Sequence, residues 1–539
     1  MNGKKLLCSA MALTLAAGLL AGCGGNNQTA DVDVDSLEVL TENTMPISEE
    51  GVTLSIWLEN QSQGYAKSYA DMLAFDRLAE ITGVTLEFQH PTGTTSEQLS
   101  IILASNSYPD MIYSNWQTSG LKQLKNGVCL DLAPYIEKLA PNLRALLEER
   151  PDLEEQLVWA NGEIVMFPQV VDDQKFLCYD GYFIRQDWLD QVGESVPTTI
   201  DEWYTVLKKF KEADLNGNGE QDEIPFSSIK SMFSEAFTSA YGFSKYDYYL
   251  DPDSGKITHA TLNPNFKEYL STMNQWYSEG LINENFLNST TTELDSLVLN
   301  DQLGSIYIDN NNDMPKYMQL NPDIELVAVP YPTWNGGKSY YPNNAIIQTL
   351  RGKGCMITTS CKNVVEAVRY CDYFYTQEAS DIMNWGFEGE SYTVNEDGTK
   401  QFTDLIQNNP EGKTPYEAIC KYMTNTGFTG IIQYAASHEL EANLSENIQK
   451  VKEDSVQYAL DADKSLLVRP LKYTVEESDA KSTKESDISS YVTEMVGKFI
   501  IGTEPLSNYE TFLETLKEMG IEDVIEIYQT AYDRQTSNQ

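Results

Sequence analysis

Directly behind the amphipathic stretch TTIDEWYTVLKKFKEA lies DLNGNGEQDEIP, residues 214–225. Oxygen-bearing side chains fall at Asp214, Asn216, Asn218, Asp222 and Glu223, with Gly217 and Gly219 between them. Calcium takes six to eight oxygens, and a 12-residue loop with acids and amides at alternate positions supplies them. Asp214, Asn216 and Asn218 stand at positions one, three and five. Gly219 permits the sharp turn at six, and Glu220 offers its backbone carbonyl at seven. Position 12 is Pro225 instead of a bidentate glutamate, so no downstream helix is levered by the ion and a sensor role is not expected. A solvated Asn-Gly turn is the competing reading of the same residues.

Other polar and aromatic groups are singled out by the elements in front of them. VTLSIWLEN reads as a buried strand ending at Glu59 and Asn60. YAKSYADMLAFDRLAEITG places Tyr65, Tyr69, Met72, Leu73 and Leu78 at helical spacing and stops at Gly83. A second strand (VTLEFQH), a second helix (SEQLSIILASN) and a third strand (PDMIYSNW) follow, with Asn115 and Trp116 at the strand's end. This alternation predicts βαβ units and a mostly parallel sheet, whose strand carboxyl ends are where ligands meet such sheets. Later, LGSIYIDNN is an apolar strand ending at Asp309. NWGFEGESYTVNEDGTKQFT reads as a turn plus hairpin with Asp397-Gly398 at its tip, placing Trp385, Glu388 and Tyr392 near a turn. Thr199 and Glu202 have capping-box spacing, and Trp188 and Trp203 on amphipathic helices read as packing. Catalytic patterns are poor. Three histidines (His90, His259, His438) lack zinc-ligand spacing, there is no Gly-x-Ser-x-Gly elbow, and carboxylate pairs are uninformative in so acidic a chain.

The 539-residue chain has a formal charge of −44, which argues against nucleic acid and anionic bilayer surfaces as partners. It opens MNGKKLLCSAMALTLAAGLLAGCGG: a basic start at Lys4 and Lys5, then an apolar run from Leu6 to Leu20 too short for a comfortable span. Leu20-Ala21-Gly22-Cys23 resembles the bacterial lipobox, in which the cysteine is lipidated; an ordinary secretory leader is the alternative. The stretch after Cys23 is polar, acidic and aperiodic, and reads as a disordered tether. Six cysteines remain (Cys129, Cys178, Cys355, Cys361, Cys371, Cys420), without a Cys-x-x-Cys pair. Buried thiols and one disulfide are both open.

The lipobox, YPDMIY, YFIRQDWLDQVG, VPTTIDEW, DLNGNGEQDEIPF, NWGFEGESY and the terminal KFIIGTEPLSNYETFLETLKEMG resemble, in this order, the extracellular solute-binding lipoproteins of bacterial ABC importers. Within them the likeness is to the oligosaccharide-binding branch that includes alginate-binding proteins. The resemblance implies an α/β type II periplasmic-binding-protein fold, two interleaved lobes closing over a ligand, with crossings near 167–180 and 327–332. The expected division is a leader at 1–22, a tether at 23–50, an N-terminal lobe of 51–168 plus 330–375, and a C-terminal lobe of 169–329 plus 376–539. It implies a monomeric, membrane-anchored receptor that performs no chemistry, captures an oligosaccharide and hands it to a permease. It also implies that Asp222 and Glu223 complete a structural calcium shell with Asp214, Asn216, Asn218 and Glu220. Sugar sites use aromatic faces and acids or amides, so Glu59, Trp116, Asp309, Trp385, Glu388 and Tyr392 are the expected ligand contacts. A same-fold receptor for peptides or another solute, and a surface glycosidase or lyase, are the alternatives.

Overall fold

The computed structural model describes residues 32–62, 65–309, 313–424 and 427–537; the leader, Cys23 and the start of the tether lie outside the described residues. Strand β1 (Val52–Trp57) buries Leu54, Ile56 and Trp57 and pairs in parallel with β2 (Val84–Gln89) and β3 (Met111–Asn115). The helix between β1 and β2 is shorter than its periodicity suggests. It runs Leu73–Thr82, and Tyr65 lies ahead of it, 48% exposed. Gly83 ends the helix at φ +68°, and a Cβ there would meet the Ser48 carbonyl oxygen at 1.9 Å. After β4 (Phe167–Val171) the chain leaves for a second sheet made of β5 (Asp180–Arg185), β6 (Ile224–Ser228), β9 (Leu303–Asp309) and β10 (Leu326–Val329). A small hairpin, β7 (Tyr248–Asp251) and β8 (Lys256–His259), sits within that half. The chain returns with β11 (Leu350–Ile357), forms the predicted hairpin from β12 (Tyr392–Val394) and β13 (Lys400–Phe402), and adds β14 (Gly430–Ile432). The sheet orders are β14-β4-β11-β3-β1-β2 and β10-β5-β9-β6. In the first, β11 runs antiparallel to both β3 and β4.

Each sheet organises its own core, so the molecule has two lobes. Three segments cross between them: 172–179 from β4 to β5, 330–349 from β10 to β11, and 433–445 from β14 to the helix Glu446–Asp461, which packs on β5 and β10. The division differs from the expected one in three places. Residues 330–349 send Tyr331, Tyr341 and Ile346 into the second core, so the N-terminal lobe resumes only at β11. Residues 376–432 belong to the first lobe. Ile382, Trp385, Tyr392, Phe402 and Phe428 share its core, and β14 hydrogen-bonds β4. From residue 32 the expected tether is a strap along the first lobe. Leu40 N donates to the Lys138 carbonyl (2.7 Å), Asn43 Nδ2 to the Arg369 carbonyl (2.8 Å), and Ile47 is buried. All six cysteines beyond residue 32 are buried free thiols.

Candidate ligand cleft and cation loop

The carboxyl ends of β1, β3 and β9 and the amino ends of β5 and β11 meet where the crossings run. On the first lobe, Glu59 follows β1, and its Oε1 accepts from Thr95 Oγ1 at 2.8 Å. Asn115, at the end of β3, is paired with Lys353 of β11. Burial alternates along Leu350, Arg351, Gly352, Lys353 and Gly354, so both cations point away from the core. The Arg351 guanidinium lies over the rings of Phe176 (5.3 Å) and Tyr179 (5.8 Å) in the first crossing.

The second lobe presents acids. Asp309 ends β9 opposite Asp180 of β5. Asp180 is 5% exposed, and its carboxylate accepts from Asn343 Nδ2. Burial pushes its pKa well above the ordinary range, aided by the nearby charges of Glu235 and Asp309. Glu235 is raised too, by burial, against the pull of Lys245. Asp309 also acts across the gap: burial first, then Glu441, Tyr65 and Asp309, hold the first-lobe Tyr416 phenol above its usual pKa. Tyr416 donates to Glu441 Oε1 at 3.0 Å.

The expected tryptophans are core residues. Trp116 is 1% exposed and its indole N–H donates to the Ile112 carbonyl at 3.3 Å. Trp385, 2% exposed, donates to Gln433 Oε1 at 2.7 Å and packs 4.9 Å from Phe402 and 5.9 Å from Tyr392, itself buried. Neither tryptophan offers an open face to a sugar ring. Glu388 is exposed at the hairpin base, where its backbone bridges to Tyr392. Trp385 does line a groove of about 700 Å³ between the hairpin and helix Glu446–Asp461. Trp188 and Trp203 are fully buried, as their helical positions predict.

The loop at 214–225 is held by its own oxygens. Thr199 and Glu202 cap the helix Ile200–Glu212 that leads into it, and the helix buries Ile200, Trp203, Leu207 and Phe210. Gly217 and Gly219 take φ +70° and +86°, and Gly219 N donates to Asp214 Oδ2 at 2.9 Å. The Asn216 and Asn218 amides both donate to Asp222 Oδ1 at 3.1 Å, and Gln302 reaches Oδ2 at 2.5 Å. Burial pushes the Asp222 pKa up, but these three bonds outweigh it and lower it overall. Glu223 is fully buried. Its Oε1 accepts from Leu215 N at 2.7 Å, while Oε2 has no hydrogen-bond partner. A buried carboxylate oxygen without a partner fits a cation better than a solvated turn. Among the described residues no three His, Cys, Asp or Glu side chains converge as a metal set. A cation here would therefore draw on amide and backbone oxygens as well.

The sequence profile of the bacterial extracellular solute-binding proteins matches residues 62–381. The chain belongs to that family. It is 25% identical, over 100% of both chains, to the fructooligosaccharide ABC transporter substrate-binding protein FusA of Streptococcus pneumoniae serotype 4. Its fold matches the alginate-binding protein AlgQ2, solved without calcium ion (TM-score 0.71, 22% identity, 91% of this chain and 100% of the other). It also matches an EF-hand mutant of the S. pneumoniae FusA solved with fructo-nystose (TM-score 0.71, 21% identity, 90% and 100%). The two-lobed α/β architecture is thus the type II periplasmic-binding-protein fold. Among the described residues no helix is long and apolar enough to cross a membrane.

In this solute-binding protein the sequence reading missed Asp180, Glu235, Arg351, Lys353, Phe176 and Tyr179. Arg351 and Lys353 carried a faint signal: LRGKG is a strand interrupted by glycines, a sign of close backbone approach. Asp180 and Glu235 carried none, since only the packing of β5 against the turn after helix Lys230–Phe233 brings them together.

Proposed function

We propose that this protein is a lipid-anchored receptor that captures an oligosaccharide between its lobes and delivers it to an ABC transporter permease. The observation that carries the reading is the gap between the lobes: the second-lobe Asp309 acts on the first-lobe Tyr416 together with Tyr65, and on Tyr179 of the crossing together with Arg351, while Asp180 lies beside Asp309 on the neighbouring strand. Acids and amides suit sugar hydroxyls, and the exposed Tyr65 ring suits their apolar faces. The relatives' oligosaccharide ligands point the same way. The mechanism is hinge closure. A ligand touching both lobes favours the closed state by its differential contacts, and the three crossings absorb the change. No covalent step is assigned to the chain. Of the expected contacts, Glu59 and Asp309 remain ligand residues, while Trp116, Trp385 and Tyr392 support the first lobe and Glu388 marks its rim. Cys23 is the proposed lipid attachment site, placing a monomer on the outer face of the cytoplasmic membrane.

A calcium ion is the proposed structural cofactor, held by Asp214, Asn216, Asn218, Glu220, Asp222 and Glu223. It would neutralise clustered carboxylates and tie the end of helix Ile200–Glu212 to β6. Lys211, which bonds the Glu223 carbonyl at 3.0 Å, already links these two elements.

Isothermal titration of the leader-free protein, with calcium present, against saccharides and short peptides tests the reading. Saturable one-to-one saccharide binding without turnover is expected. Binding restricted to peptides, or cleavage of the saccharide, would replace it with one of the alternatives.

A further inference from the structure

Most buried and half-buried cations in this chain hold an oxygen partner: Arg144, Arg369, Lys464 and Lys472 donate to carbonyl or amide oxygens, and others pair with carboxylates. Arg185 pairs with Asp187 and Asp301, Lys452 with Glu441, Lys481 with Glu485 and Arg534 with Glu477. With 81 acidic residues against 37 basic ones, a partner is seldom far away. Arg351 and Lys353 break the pattern. Both are half-buried, and among the described residues neither forms an ion pair or a side-chain hydrogen bond. Desolvation first, then the neighbouring Arg351, lowers the Lys353 pKa, and Glu59 only partly opposes this. Two like charges brought together and partly removed from water are costly unless a counter-charge joins them.

Their placement is built, not incidental. Gly352 between them has φ +71°, and a Cβ there would meet Gln117 Oε1 at 2.8 Å and Asn115 Oδ1 at 3.0 Å. The strand therefore runs directly beneath two amides, with a cation on either side. The pairing of β11 with β4 shifts register between Leu350 and Gly354, which locally re-aims this stretch. Stacking over Phe176 and Tyr179 engages the guanidinium face and leaves its N–H edge free for a planar anion.

We propose that Arg351 and Lys353 form a carboxylate subsite on the first lobe, so that the captured oligosaccharide carries a uronic acid. This deepens the receptor reading and rests on it. A single carboxylate satisfies both cations, whereas a more highly charged group, such as a phosphate, would face the Asp180, Glu235 and Asp309 cluster across the cleft. Charge is thereby sorted between lobes: the ligand acid lies against β11 and its hydroxyls against the acidic strand ends.

The test is titration calorimetry of the leader-free chain against oligogalacturonates, oligomannuronates and oligoglucuronates, each also as its methyl ester. Neutral fructo- and malto-oligosaccharides, a sugar phosphate and short peptides complete the panel. The tightest ligand is expected to carry a free carboxylate, and esterification should weaken it about ten- to a hundredfold. Arg351→Gln and Lys353→Gln should collapse the acid-to-ester ratio towards one while ester binding persists. Because the ratio is internal to each variant, it is insensitive to partial unfolding, and the wild-type ratio stands even if one variant does not fold. A neutral or phosphorylated sugar as the tightest ligand, or an unchanged ratio in both variants, overturns the subsite and leaves the receptor reading intact. Binding of peptides alone, or of nothing in the panel, overturns the receptor reading itself.

Discussion

Removal of calcium should loosen the second lobe, and Glu223 is the residue through which to see it. Its Oε1 is committed to Leu215 N and its Oε2 is buried without a partner, so ion binding supplies the contact that the protein does not. If ambient calcium is about a hundredfold above the dissociation constant, linkage adds about 2.7 kcal/mol. A domain of roughly 150–250 residues shifts its melting temperature about 2–4 °C per kcal/mol, so chelation should lower melting by about 5–10 °C. Glu223→Gln keeps the acceptor for Leu215 N, removes the buried charge and puts an amide where the free oxygen stood. In chelator the variant should therefore melt close to the wild type, and on adding calcium it should gain little. The assay is differential scanning calorimetry of both proteins with and without calcium, alongside elemental analysis of the dialysed wild type. Equal calcium increments in the two proteins, or a wild type that binds no ion and melts unchanged in chelator, would refute the reasoning.

Truncating Trp116 to alanine should cost about 3–5 kcal/mol of stability, the range for a fully buried large aromatic, and leave ligand affinity of the folded fraction unchanged; weakened binding at unchanged urea stability would restore it to the cleft. Asp309→Ala should instead weaken ligand binding by at least tenfold with less than about 1 kcal/mol lost in urea melts, since it ends a strand at a half-buried position; unaltered titration isotherms would remove it from the site. Asp372 is buried and its pKa is pushed up to about 6 by burial, against hydrogen bonds from Leu143 N, Asn142 and Asn43. Because the folded value lies above the unfolded one, the native state holds the extra proton between about pH 4 and 6. This contribution is full below pH 4 and is lost as pH rises through 6, about 3 kcal/mol in all. The stability gap between wild type and Asp372→Asn in denaturant melts should change steeply from pH 4.5 to about 6 and level off above it, and a gap independent of pH would count against this. His259 works in the opposite direction. Burial lowers it to about 3, so stability referenced to a His259→Gln variant should fall as pH drops below about 6.5, and a flat difference would show that the ring stays solvated.

The local elements of this protein are written in its residues. Alternating apolar runs marked β1 to β3, the Thr199–Glu202 box started its helix, Gly83 stopped another, and the spacing of Asp214, Asn216, Asn218 and Gly219 outlined a cation loop. Each depends on neighbours a few residues away, so side-chain spacing and backbone preference are enough. Lobe membership was not written there. Residues 376–432 joined the first lobe because β14 found β4, more than two hundred residues earlier, and three residues of strand carry no label for their partner. The tryptophans misled for the same reason: a ring near a strand end or turn is open or buried according to what else arrives there, and at Trp385 Gln433 and Phe402 arrived. The cleft follows this rule throughout. Asp180, Asp309, Glu235, Arg351 and Phe176 are ordinary in sequence, and only the meeting of two sheets across three crossings makes them a site. Burial and opposed charge are properties of long-range neighbours, which only the tertiary structure supplies.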